Sequence, residues 1–347
     1  MRCATIAGQS RVHAGTTSAV KADGFLISVL GAVALACLFP SAGSSHGPLH
    51  AGLLSEFGIA LVFFLHGTEL SSSALRAGAA NWRLHLFVQL STYVLFPLLG
   101  LVLFFGARRL LSPEVRLGLF YLCALPSTMS SSIAMTSIGR GNVAGAVFDA
   151  TLSGLIGMVL TPLLVGLVSA AEMRPLPILP AIEDVAVKLV LPFACGQLLR
   201  PLIHPGLHRH PWVLRHADQG VIVLIVYVAF CDSTLAGIWS RYSPLVLLEI
   251  LALAAALLAL VLSLTRLGAR WLRLSHADEV AAVFCGSKKS LTSGAAIARV
   301  LFGNSAALGL LMLPLLMYHQ LQLVVCGILA RRYARRYAQL HAPARTG

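Results

Sequence analysis

Apolar residues run through this chain in blocks close to twenty residues long, separated by short polar and basic segments. About twenty helical residues cross a hydrocarbon core of about 30 Å, so each block predicts a membrane-spanning helix. Ten spans can be placed, at 24–40, 51–68, 84–106, 117–139, 142–169, 183–203, 219–238, 244–265, 279–301 and 306–330. The fourth and ninth carry polar interruptions, and the sixth begins with Glu183, Asp184 and Lys188. Residues 1–23 are polar, lack apolar periodicity and predict a disordered tail. The block after them also has the pattern of a signal peptide, a reading that would leave nine spans.

Composition agrees with this pattern. Of 347 residues, 57% are hydrophobic and 11% charged, against about 25% charged in soluble domains. A disordered chain is excluded, and a soluble enzyme is not expected. The net charge of +13 would suggest nucleic acid in a soluble protein. Here the basic residues lie mainly between apolar blocks, where they set topology and meet lipid headgroups, so the bilayer is the expected partner and nucleic acid is not. With the N-terminus inside, 17 Lys and Arg fall on the cytoplasmic side and 6 on the other, which puts both termini in the cytoplasm. The seven cysteines form no CxxC and read as packing residues.

The two halves of the chain share a pattern. Span four is broken at LPSTMSSS and followed by Gly141-Asn142-Val143-Ala144; span nine is broken at CGSKKSLTSG and followed by Gly303-Asn304-Ser305-Ala306. Spans five and ten then carry TPLL (161–164) and LPLL (313–316). A repeat with an odd number of spans enters the bilayer upside down. The expected fold is therefore an all-α polytopic membrane protein of ten transmembrane helices in two inverted five-helix repeats, with helices four and nine discontinuous, as in secondary transporters.

The breaks concentrate the candidate chemistry. Pro126 removes a backbone donor and disfavours helix at Leu125. The hydroxyls of Ser130, Ser131 and Ser132 can coordinate a cation or replace lost backbone partners; back-bonding within helices and close helix packing are the plainer readings. Lys288 and Lys289 lie where an ammonium costs roughly 2.5–3.5 kcal/mol on insertion scales. They require a carboxylate, carbonyls at a helix end, water or an anionic substrate. Asp149 is the expected functional carboxylate. His319 and Gln322, three apart on span ten, form a polar face that either lines a pathway or joins helices. Ser287 and Ser290 flank the lysines; a Ser-Lys hydrolase dyad would need an oxyanion hole that cannot be identified, and no Walker motif is present. Single polar residues such as His66, Gln89 and Gln197 read first as contacts between helices.

The stretches GIALVFFLHGTELS (58–71), NWRLHLFVQLSTYVLFPLLG (81–100), LPSTMSSSIAMTSIGRGNVAGAVFDATLSGLIG (125–157), AAVFCGSKKSLTSGA (281–295) and LPLLMYHQLQLVV (313–325) resemble the bile acid:sodium symporter family, solute carrier family 10, and within it the member-seven-like branch common in bacteria. The resemblance implies a transporter domain over 24–331, with a panel (spans 1, 2, 6 and 7) and a core (spans 3–5 and 8–10), between a tail at 1–23 and a basic cytoplasmic tail at 332–347. It also implies sodium at the hydroxyl-rich fourth-helix break, here at Ser131 and Ser132. Lys288 and Lys289 stand where the bile-acid-transporting branch has a Gln-Asn pair. Such a change implies the loss of at least one of the two sodium sites, with Asp149 as the partner of a lysine. The expected function is a secondary transporter in a bacterial inner membrane, coupling an organic anion to sodium and needing no cofactor beyond that ion. A proton-coupled or uncoupled transporter and a non-transporting membrane regulator are the alternatives.

Overall fold

A computed structural model describes residues 24–69, 81–171, 178–209, 211–242, 244–303 and 305–340. The tail at 1–23, Asn304 of the second GN motif and residues 341–347 of the basic tail lie outside the described residues. Among those described, every regular element is helical. The helices are α1 (Gly24–Leu38), α2 (Ala51–Glu69), α3 (Trp82–Leu90, continuing through a π-turn at Ser91–Leu95 into Phe96–Gly106), α4 (Pro113–Ala124), α5 (Ser130–Ile138) and α6 (Val143–Ala171). They continue with α7 (Ile178–Val185, a π-turn at Ala186–Val190, then Leu191–Arg209), α8 (Pro211–Leu235), α9 (Pro244–Trp271), α10 (His276–Ser287), α11 (Leu291–Phe302) and α12 (Leu308–Leu340).

Seven helical stretches among the described residues are long and apolar enough to cross a membrane, in α2, α3, α6, α7, α8, α9 and α12. They coincide with expected spans two, three, five, six, seven, eight and ten. Expected span one is the 15-residue α1. Expected spans four and nine each divide into two short helices, α4 with α5 and α10 with α11. Both pairs begin earlier than hydropathy suggests, because each has a polar cap. Ser112 accepts from Val115 N ahead of Pro113 and Glu114, and Ser275 accepts from Asp278 N, with Asp278 and Glu279 in the first turn. A hydroxyl cap and acidic residues at a helix N-terminus satisfy its free N–H groups and its dipole. At the other end, α12 does not stop at the basic run but continues through Arg331–Arg336 to Leu340.

Large apolar side chains face outward on several helices, among them Leu98, Val102, Leu198, Leu202 and Leu267. A soluble monomer avoids so much exposed apolar surface, whereas lipid requires it. Inside this apolar surface α1, α2, α7 and α8 pack on one another, α4 packs against α3, α6 and α12, α9 against α10 and α12, and α8 also against α11 and α12. Helices α2 and α7 meet at backbone contact. A Cβ on Gly67 would collide with Phe193 O, and one on Gly196 with Phe64 O. These are backbone atoms that cannot swing aside, and small residues are what permit such crossings in membranes. Gly196→Leu is expected to force the helices apart and destabilise by about 1–3 kcal/mol or more. Thermal unfolding followed by loss of monodisperse protein checks this, and an unchanged midpoint would contradict the tight crossing.

Candidate functional site

The two helix interruptions meet. Ser290 N donates to Pro126 O at 2.9 Å, so the chain at one break hydrogen-bonds the chain at the other. Backbone that leaves the helix inside an apolar environment must find new partners, and several carbonyls near the breaks can be followed to theirs. At the end of α4, Ala124 O accepts from Thr161 Oγ1 at 2.8 Å. Cys123 O and Leu125 O accept from Lys289 Nζ at 2.9 and 2.6 Å. At the end of α10, Phe284 O accepts from Ser132 Oγ at 3.2 Å, Cys285 O from Ser127 Oγ at 2.6 Å and Ser287 O from Tyr318 Oη at 2.7 Å. Gln322 closes the second break: its Oε1 accepts from Lys289 N and its Nε2 donates to Lys289 O, both at 2.9 Å. A side-chain amide thus pairs with the broken helix as a neighbouring backbone would.

The third carbonyl on Lys289 comes from a defect in α3. Within the π-turn, Phe96 N bonds Ser91 O rather than the Thr92 O that a regular α-helix would use. Pro97 has no N–H to donate to Tyr93 O and so favours that widening. The freed Thr92 O accepts from Lys289 Nζ at 3.1 Å. The ammonium also lies 4.0 Å from the centre of the Phe96 ring, on its face. Three acceptors match the three N–H groups of an ammonium, and two of the three belong to the negative end of α4.

Several expected site residues fall into other roles. Lys288 and Lys289 are both fully buried, but Lys288 Nζ makes no hydrogen bond among the described residues. Asp149 is not the partner of a lysine: its Oδ1 is 3.0 Å from His85 Nδ1, and both residues are buried. The lysine that bonds does so to carbonyls instead, because a helix end and a π-turn converge there. Ser287 Oγ donates to Val283 O within its own helix, and Ser290 Oγ caps α11 by accepting from Ser293 N. Neither serine hydroxyl bonds Lys289 Nζ, whose bonds go to the three carbonyls.

Beside the crossing lies a cavity of about 570 Å³. One wall is made by the N-terminal ends of α5 and α11, with Ser130, Ser131 and Ser290–Ser293. Phe63, His66 and Glu69 of α2, Asp218 of α8 and His319 of α12 also line the cavity. Ser131 Oγ is 3.2 Å from Thr128 Oγ1, both on the cavity. Ser132 is fully buried and faces α10 instead. His319 Nδ1 is 2.9 Å from Gln322 Nε2, so this pair joins the cavity to the second break.

Two polar contacts tie α8 to α11 at their opposite ends. Thr292 Oγ1 donates to Asp218 Oδ2 at 3.0 Å, with His66 Nε2 3.5 Å from Oδ1 of the same carboxylate. Asp232 accepts from Ser45 N at 2.9 Å and from Ser45 Oγ, with Arg299 Nη1 3.9 Å from Oδ2. Near Arg299 a second cavity of about 500 Å³ opens, lined also by Glu56, Glu114 and Lys188.

Sequence reasoning missed His85, Thr92, Tyr318, Asp218 and Arg299. Pro97 signals the irregularity that frees Thr92 O, and the polar sequence Tyr318–Gln322 contains Tyr318. The partners of His85, Asp218 and Arg299 lie 64, 74 and 67 residues away in the chain, beyond any local pattern.

A sequence profile of the SBF-like CPA transporter family matches residues 23–335. An uncharacterized protein of Pseudomonas aeruginosa, PA2026, is 46% identical over 314 residues, covering 90% of this chain and 93% of its own. The Escherichia coli K12 protein named "Putative symporter YfeH" is 42% identical, with 92% and 95% covered. Sodium/bile acid cotransporter 7 of Mus musculus is 30% identical, with 88% and 90% covered. With its interrupted helices crossing beside a cavity and its match over nearly the whole length, this chain belongs to the SBF-like branch of the bile acid:sodium symporter family, a family of transporters.

Proposed function

We propose that this protein is a secondary active transporter that carries a small organic anion across a bacterial inner membrane, coupled to sodium. The observation that carries the reading is the cavity wall formed by the N-termini of α5 and α11. The positive ends of two helix dipoles favour a carboxylate or similar anion there. The hydroxyl pair Thr128–Ser131 on the same wall supplies neutral oxygens of the kind sodium takes, while Ser132 holds α10 behind it. The sodium in the mouse relative's name agrees with this assignment.

In this reading the chain has ten spans in two inverted repeats and both termini in the cytoplasm. Helices α1, α2, α7 and α8 form a panel and the remainder a core that rocks against it. The contacts Thr292–Asp218 and Arg299–Asp232 lie on the moving interface, one at each end, and the two cavities are the alternating entrances. A second reading, transport without sodium, is favoured by the Lys289 ammonium beside the same crossing.

Uptake by proteoliposomes under an imposed sodium or choline gradient tests this, with organic anions in a metabolite mixture followed by mass spectrometry. Sodium-dependent accumulation of an anion is expected, with loss of the sodium dependence in Thr128→Val/Ser131→Ala. Accumulation indifferent to sodium would select the second reading. No movement of any solute in either gradient would overturn the transporter assignment and leave a regulatory role.

A further inference from the structure

We infer that Thr92 O, Cys123 O, Leu125 O and the Phe96 ring form a monovalent-cation site that the protein fills with its own Lys289 ammonium. The set has the features of a cation cage rather than of an ion pair. Three backbone carbonyls converge within 2.6–3.1 Å of one nitrogen, an aromatic face lies 4.0 Å away, and the position is fully buried. No carboxylate contributes a bond to Lys289 Nζ among the described residues. Two independent backbone irregularities, the π-turn in α3 and the end of α4, supply the oxygens. Carbonyls freed in this way attract a cation whether it is dissolved or tethered. Lys288, equally buried, has no such cage. The two adjacent lysines are therefore predicted to behave oppositely.

The ligand class follows from the occupant. A primary ammonium fits the cage, so ammonium and methylammonium are its soluble equivalents, and a small alkali cation is an alternative occupant. Choline is too bulky and has no N–H to donate. Helices α3, α4 and the α10–α11 link hold the ammonium together whether or not a solute moves, so the cage does not rest on the transport reading.

The test is thermal unfolding of purified wild-type, Lys289→Ala, Lys289→Met, Lys289→Gln and Lys288→Met protein in choline, ammonium and methylammonium chloride at equal ionic strength. Lys289→Ala is expected to unfold at lower temperature in choline and to recover saturably with methylammonium, while wild type responds to neither salt. Lys289→Met is expected to be less stable than Lys289→Gln, whose amide can donate to two of the carbonyls, and Lys288→Met is expected to equal or exceed wild type. If Lys289→Ala cannot be recovered, the order of the Met and Gln variants decides. Equal stability of those two, a Lys289→Ala midpoint indifferent to the salt, or a wild type that responds as strongly, would overturn the inference. An uptake assay that finds no transported solute would leave the melting result standing, so failure of the transport reading is told apart from failure of this one.

Discussion

In Gln322→Leu protein the thermal unfolding midpoint is expected to fall sharply in every salt. Gln322 gives Lys289 both its backbone partners, accepting from its N–H and donating to its carbonyl at 2.9 Å, at a position with no exposure to solvent. A buried backbone group stripped of its partner costs about 1–3 kcal/mol, so the pair costs about 2–6 kcal/mol. That is a large part of the roughly 5–15 kcal/mol that holds a typical domain together. The same glutamine contacts His319 on the cavity, so its loss also loosens the wall that a solute meets. Gln322→Glu separates the two bonds, because an ionised carboxylate accepts from the N–H but cannot donate to the carbonyl. It is expected to unfold below wild type in a melting series. A Leu variant as stable as wild type would show that the second break does not depend on this amide.

The second large effect concerns Asp149 and His85. Their contact, 3.0 Å between Oδ1 and Nδ1, joins α6 to α3 inside the protein. Removing one partner of a buried hydrogen-bonded contact costs about 1–3 kcal/mol, because the other stays buried without it, whereas replacing both by apolar groups of similar shape can be nearly neutral. His85→Leu is therefore expected to destabilise strongly, and His85→Leu/Asp149→Leu to recover most of that loss. The four proteins form a double-mutant cycle whose coupling should exceed about 1 kcal/mol, far above the scatter of independent sites. Additive effects would contradict the pairing. Uptake adds a functional reading: a double variant that is stable but inactive makes Asp149 part of transport, and one that is stable and active makes the pair structural.

Much of this architecture is legible in the chain because hydropathy and proline act locally. Helix α9 reads directly from its leucine run, and the α4–α5 interruption from Pro126 and the serines behind it. The lysines also announce themselves, since two ammonium groups in an apolar segment demand acceptors, and carbonyls at a helix end are among the few available. What cannot be read is which acceptors. Thr92 supplies a carbonyl only because α3 widens by one residue, and Pro97 marks that an irregularity lies nearby without saying which carbonyl it frees or what takes it. Chain position alone points Asp149 at a lysine, because both lie next to breaks. Its actual partner, His85, is on another helix and is brought there by tertiary packing alone. The hydroxyl residues of the first break illustrate the same limit. Ser132 bonds an α10 carbonyl off the cavity, Ser127 bonds another while also lining it, and Thr128, Ser130 and Ser131 line the cavity.

The proposed sodium-coupled anion carrier, with its ion on the Thr128–Ser131 hydroxyls beside a cage filled by Lys289, makes a direct thermodynamic demand. The measurement is the unfolding midpoint of wild-type protein titrated with sodium chloride against choline chloride, repeated on Thr128→Val/Ser131→Ala. A sodium-specific rise that saturates as a single class of site in wild type, and disappears in the double variant, is the predicted result. A wild-type midpoint that is the same in both salts, or a sodium effect that survives loss of both hydroxyls, would contradict it.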